Sequence, residues 1–165
     1  MRQFKVNDEL IDNIKRLITI SDKEKLVKDL NDLHYADLAE IFELLEVKQV
    51  IFLVKIFDKE RIADALAEID EDLREIILEN LSTKEIAEKI QELDTDDATD
   101  VISELSEDIQ ESVLSQIKDS ELTDDIKELL KYKEDTAGGL MAKELVKVSE
   151  DLSISKCLDE IRKQA

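Results

Sequence analysis

Proline is absent from this 165-residue chain, and glycine occurs only at Gly138 and Gly139. Nearly everything up to Thr136 therefore lacks helix breakers, which predicts helices joined by tight turns. The single cysteine, Cys157, excludes an intramolecular disulfide and a multi-cysteine metal cluster and fits a reducing cytoplasm. The single histidine, His34, lacks the partners that a zinc or catalytic site needs and reads as structural or exposed. Tryptophan is missing, and phenylalanine and tyrosine are too sparse for a base-stacking platform. The longest apolar run, Val50 to Val54, is far too short to span a bilayer, so direct membrane insertion is not expected. Met1 to Val6 carry two basic residues without the apolar segment of a secretory signal.

Positive charge is scarce as well. With 43 acidic against 23 basic residues the formal charge is −20, leaving no net positive field for phosphates or an anionic membrane. Nucleic acid and acidic lipid are poor partners. Cations and basic protein surfaces suit such a chain, because a surface this negative repels itself until counter-charge arrives.

What is present is a hydrophobic content of 42%, enough to bury a core, arranged in a rhythm. A large apolar residue returns every twelve positions: Leu33, Leu45, Phe57, Ile69, Leu81, Leu93, Leu105 and Ile117. Glu46, Asp58, Asp70, Ser82, Asp94 and Ser106 follow six of these marks, where helix N-caps would sit. Ser82 with Glu85 and Ser21 with Glu24 match the capping box. Within units, runs such as Leu38, Ile41, Phe42 and Leu45 recur at helical spacing. The pattern predicts short helices stacked in pairs with a 24-residue period, preceded by a longer helix from about Asn7 to Ile20. The expected fold class is all-α, with a helical domain over 1–131.

Beyond Tyr132 the pattern changes. Residues 132–165 contain both glycines, then Leu145-Val146-Lys147-Val148, which predicts a strand, and Leu152 to Lys163, which predicts a helix with Ser149 or Asp151 near its cap. One strand and one helix cannot bury both faces, so the chain is expected to be a fragment that stops inside a second domain. Cys157, beside Leu158 on that helix, has no evident activating base and reads as a small packed thiol. Gly138-Gly139 has neither the spacing nor the lysine of a phosphate loop and reads as a tight junction. No constellation of nucleophile, base and electrophile is visible, so an enzyme is not expected.

Among the acids, Asp96 and Asp100 are four apart, which puts them on one helix face. Like charges about 6 Å apart repel by ~0.7 kcal/mol even in water, and a divalent cation relieves that repulsion. Magnesium prefers oxygen ligands and keeps several waters, so one or two carboxylates from each of two surfaces suit it. The same spacing also serves a solvated helix face, with Asp94 and Asp97 complementing the helix dipole.

Two stretches resemble the cytoplasmic front end of MgtE-type magnesium transporters. One is the helical repeat, including His34-Tyr35-Ala36-Asp37-Leu38-Ala39-Glu40-Ile41-Phe42 and Leu93-Asp94-Thr95-Asp96-Asp97-Ala98-Thr99-Asp100-Val101. The other, Tyr132-Lys133-Glu134-Asp135-Thr136-Ala137-Gly138-Gly139-Leu140-Met141, resembles the junction into that family's CBS modules. The resemblance implies a right-handed superhelical solenoid over 1–131, then the junction and an incomplete first CBS module over 132–165. It implies a magnesium-sensing regulatory domain on the cytoplasmic side of the plasma membrane, itself soluble and unable to transport. Mg2+ would bridge acidic surfaces of this domain and of CBS- or pore-linked parts to favour a closed pore. The implied partners are magnesium ions, the CBS domains and the transmembrane pore domain of the same protein, within a homodimer. Carried across by position, the family's metal ligands fall on Asp64, Asp96 and Asp100; Asp64 stands for a glutamate and is one methylene shorter. Asp97 and Glu68 lie near enough in sequence to assist through water. The alternatives are a CBS-linked cytoplasmic adaptor and a flagellar-switch-like protein-interaction scaffold, neither with a pore.

Overall fold

The twelve-residue rhythm becomes a run of short helices in the computed structural model, which describes residues 6–133 and 135–164. The leader reading of the first residues, up to position 5, and Glu134 of the junction motif lie outside the described residues. Eleven α-helices and no strand occur among the described residues: α1 (Asp8–Thr19), α2 (Lys23–Leu30), α3 (Tyr35–Glu43), α4 (Val47–Ile56), α5 (Lys59–Glu68), α6 (Glu71–Glu79), α7 (Thr83–Ile90), α8 (Thr95–Ser103), α9 (Glu107–Leu114), α10 (Ser120–Leu129) and α11 (Ile154–Gln164).

The six acids and serines marked as caps are the N-cap residues of α4 to α9 in order. At Ser82 the capping box is complete: the Glu85 amide donates to Ser82 Oγ at 3.3 Å and the Ser82 amide donates to Glu85 Oε2 at 2.8 Å. His34 is the N-cap of α3, its Nδ1 accepting from the Ala36 amide at 3.3 Å. The twelve-residue marks stand one position before the caps. Leu45 with Val50, Phe57 with Ile62, and Leu81 with Ile86 hold the two positions of a hydrophobic staple, and all six are buried.

Helices two apart in sequence pack together. α3 packs on α5, α5 on α7 and α7 on α9, while α4 packs on α6 and α8 on α10. Twelve residues per helix turn this into the 24-residue period of the sequence. α5 also meets α8, and α1 packs on α2 and α4. The shared interior includes Phe42, Leu53, Ile62, Ile77, Ile86 and Ile90. Each such side chain contributes about 1.5–3 kcal/mol through removal from water.

Two arginines close helix ends whose last carbonyls have no partner within their own helix. Arg61 of α5 donates to the Leu30 carbonyl at 2.7 Å and to the Leu33 carbonyl, at the end of α2. Arg74 of α6 donates to the carbonyls of Leu66 and Ala67 at 3.0 and 3.1 Å, at the end of α5. Its Nε also donates to both carboxylate oxygens of Glu104, the C-cap of α8, at 2.9 Å. One side chain thus ties the end of α5 to the end of α8.

Three local expectations are corrected. Leu145 to Val148 form no strand, because a strand is stable only when its backbone groups pair with a neighbour and no strand among the described residues offers one. The N-cap of α2 is Asp22, accepting from the Lys25 amide at 3.1 Å, and not Ser21. Ser21 has φ of 55°, the left-handed conformation that lets the chain turn sharply after α1, which is incompatible with the extended backbone of a cap. The last helix starts at Ile154, its first backbone bond running from the Cys157 amide to the Ser153 carbonyl at 2.9 Å, so neither Ser149 nor Asp151 caps it.

Gly138 explains itself by space. A Cβ there would stand 2.6 Å from Cδ1 of Tyr132, so the ring lies directly against the glycine backbone.

Candidate functional site

The acidic residues singled out from sequence sit on two helices that pack together. On α8, Thr95, Ala98, Thr99, Val101 and Ile102 point inward, which leaves Asp97 and Asp100 exposed and Asp96 half-buried on the outer face. On α5 the inward set is Ile62, Ala63, Ala65 and Leu66, and Asp64 and Glu68 are exposed. Because α5 meets α8 and Arg74 ties their ends, the two outer faces adjoin.

Electrostatics records this proximity. Although Asp97 is exposed at the surface, its carboxyl is held above the usual carboxylate range, first by partial loss of solvent against the neighbouring protein and then by Asp96, Asp100, Asp94 and Glu68. Asp94 is likewise raised, first by burial and then by Glu144, Asp96 and Asp64. Of the three expected ligands, Asp64 and Asp96 thus act on Asp94, and Asp96 and Asp100 on Asp97. Asp100 also contributes to the field that keeps the Arg74 guanidinium charged, after the dominant hydrogen bond that Arg74 donates to Glu104. It lines a cleft of about 520 Å³ between α8, α9, the end of α10 and the junction, together with Thr99, Gln110, Tyr132 and Lys133.

One participant was not anticipated. Asp94 is the N-cap of α8, yet its side chain makes no capping hydrogen bond. The first amide of α8 is instead taken by Glu144: Thr95 N and Thr95 Oγ1 donate to its two carboxylate oxygens, each at 2.9 Å. The Lys143 amide donates to Thr95 Oγ1 at 2.8 Å, and Lys143 Nζ pairs with Asp125 at 2.9 Å and Glu128 at 2.5 Å on α10. The only local signal was a lysine beside a glutamate, common in a chain so charged.

No group of three or more histidine, cysteine, aspartate or glutamate side chains among the described residues is gathered closely enough to hold a metal ion. The donors are nevertheless the hard oxygens magnesium prefers, and two carboxylates with several waters are enough for one side of a bridged ion. The arrangement fits half of a site shared between surfaces.

Comparison with known proteins decides the family. A family model, the MgtE intracellular N domain, matches residues 33–135. The chain belongs to the MgtE intracellular N domain family. This is a family of transporter domains and not of enzymes. No curated protein matches. The crystal structure of the soluble part of a magnesium transporter is similar with a TM-score of 0.80 at 23% identity, covering 95% of this chain and 62% of that one. The crystal structure of the cytosolic domain of the Mg2+ channel MgtE in complex with ATP gives 0.84 at 22% identity, covering 93% of this chain and 63% of that one. At these identities the likeness establishes the fold, and the chain spans about three-fifths of each structure's length. No helix among the described residues is long and apolar enough to cross a membrane.

Proposed function

We propose that this MgtE N domain is the magnesium-sensing regulatory part of a magnesium channel or transporter, its acidic face sharing Mg2+ with CBS- or pore-linked parts so that the closed state is favoured. The observation that carries the reading is the adjoining of the α5 and α8 outer faces, where Asp64 and Asp96 act on Asp94, and Asp96 and Asp100 act on Asp97, so that both carboxyls are raised. A face in that condition gains from a divalent counter-ion. Asp96 and Asp100 are the residues assigned to hold it, with Asp64 as the third carboxylate. The ion supplies charge neutralisation, while the protein supplies a face that is incomplete alone. An incomplete half-site binds feebly until a partner surface arrives, which suits a sensor of an abundant ion.

On the same reading, helices up to α10 form a right-handed superhelical solenoid, and 132–165 is the junction and start of a CBS module whose other elements lie in the rest of a homodimeric protein. Leu145 to Val148 would become a strand there, when a neighbouring strand is supplied.

The test is a magnesium titration of the 165-residue chain against sodium at matched ionic strength, followed by backbone NMR. The reading requires shifts concentrated at Asp64, Asp96 and Asp100 that vanish in Asp96→Asn/Asp100→Asn. Diffuse shifts that are unchanged in the double variant would overturn it.

A further inference from the structure

The two rows of stacked helices are not equally continuous. α3, α5, α7 and α9 pack in unbroken succession, whereas α4 packs on α6 and α8 on α10, with no comparable packing of α6 on α8 among the described residues. The seam between α6 and α8 is spanned by the ion pair of Arg74 and Glu104. Beside it opens a cavity of about 220 Å³, walled by Leu78 and Leu81 at the end of α6, Ile86 of α7, and Leu105 and Ile109 at the start of α9. We infer that this groove docks the apolar face of a lysine- or arginine-bearing amphipathic helix from a partner protein.

The opening has a local cause. Six of the eight twelve-residue marks are buried, while Leu33, the first of the series, and Leu105 are only half-buried. Where Val50, Ile62 and Ile86 complete the staples of earlier helices, α9 has Gln110, whose Nε2 donates to the Leu105 carbonyl at 2.8 Å. Leu105 thus keeps an apolar flank without a staple partner, and Ile109, in the first turn of α9, is 39% exposed. Both stand beside a floor of buried Leu78, Leu81 and Ile86.

Size and charge identify the occupant. The cavity is smaller than the roughly 300–1,000 Å³ that encloses a drug-sized molecule, so it suits inserted side chains, which an amphipathic helix presents at successive turns of one face. Glu75 and Glu79, one turn apart on α6, are exposed at the rim, and no basic side chain lines the groove among the described residues. Glu104 is already held by Arg74, which leaves Glu75 and Glu79 to meet an incoming cation. An apolar floor with an acidic rim is complementary to apolar anchors flanked by lysine or arginine, and a chain of charge −20 steers such a helix inward. Asp64, Asp96 and Asp100 do not line the groove, so the inference stands apart from the magnesium-sensing reading.

The test is an NMR titration of the 165-residue chain with a synthetic amphipathic helix made of leucine and lysine. Shifts are expected to centre on Leu78, Leu105 and Ile109. Ile109→Ser, a change at an exposed site, is expected to weaken binding about tenfold, the scale of one anchoring contact, whereas Ile20→Ser, at the exposed end of α1, leaves it unchanged. Glu75→Gln/Glu79→Gln is expected to weaken binding several-fold at low salt and less at high salt, where exposed charges are screened. Shifts scattered over the acidic surface, with equal affinity for the parent chain and Ile109→Ser, would reduce the binding to bulk charge and overturn the docking site. Equally tight binding of the same peptide with glutamate in place of lysine would overturn the basic character of the partner. Self-association of the chain that Ile109→Ser abolishes would assign the groove to a second copy and overturn the inference as well.

Discussion

From α3 to α10, Phe42, Leu53, Ile62 and Ile77 vanish into a shared interior, whereas further along the chain Leu140, Leu145 and Ile154 stand 74, 67 and 83% exposed. The apolar content of the two regions is similar in kind; their access to partner faces is not. A helix of eight to ten residues is marginal alone, and in the repeat each one finds a neighbour two helices away. α11, of 11 residues, is as amphipathic as any of them, yet Ile154, Leu158 and Ile161 are exposed. Burial here is decided by how many like units are stacked, and amphipathic pattern alone does not achieve it.

The comparison breaks most visibly by cutting one side chain in each region. Phe42→Ala is expected to cost about 3–5 kcal/mol in urea unfolding, because it empties a fully buried volume. Leu158→Ala, at a half-exposed site, is expected to change the same transition by less than about 0.5 kcal/mol. Next in size is Arg74→Ala, expected to cost about 2–3 kcal/mol, since it strips carbonyls at the end of α5 and leaves the half-buried Glu104 carboxylate without its partner. NMR shifts in that variant should appear on α5 and α8 together. Shifts confined to α6 would show that Arg74 does not join the two acidic helices.

A smaller contrast lies between two caps. Ser82→Ala is expected to cost about 1 kcal/mol through loss of its capping box, whereas Asp94→Asn, which removes no capping hydrogen bond, is expected to stabilise the chain at neutral pH. The sign of the second follows from linkage. The folded-state pKa of Asp94 is raised, so its burden is present at neutral pH and fades as pH falls through that value into the ordinary carboxylate range. The advantage of Asp94→Asn in thermal unfolding should therefore shrink between pH 7 and about 4. Glu85 runs the other way, because its hydrogen bonds with Ser82 lower its pKa: the stability it contributes is present above the ordinary glutamate value and is lost as pH falls through the lowered one. An advantage of Asp94→Asn that grows on acidification would show that Asp94 is stabilising after all.

The repeat was legible because its information is local. A twelve-residue spacing, an apolar mark and the cap behind it lie within one helix, and six caps fall where spacing placed them. α1 likewise runs between Asn7 and Ile20, its two caps. The strand at Leu145 to Val148 failed for the complementary reason, since β structure needs a partner that sequence pattern cannot supply. At Ser21 two rules competed, and the turn after α1 took the residue from the capping box. Of the candidate site, the face shared by Asp96 and Asp100 followed from their spacing. The approach of Asp64 depends on α5 packing against α8, which local spacing does not show, and came only from resemblance. Arg61 and Arg74 were missed, although they are the sole arginines between positions 17 and 161. In a lysine-rich chain, that choice of a planar multiple donor was the available signal.

The ring of Tyr132 lying on Gly138 sets a rule for anyone cutting and joining this protein. Where the chain leaves the repeat a flat side chain lies against bare backbone six residues on, and even alanine at 138 would push the ring aside. A chimera spliced between Tyr132 and Gly138 would part the two surfaces and lose this contact. Splicing beyond Glu144 keeps them together and also keeps the bonds of Lys143 and Glu144 to α8 and α10, so a foreign domain grafted there would start from the native path of the chain.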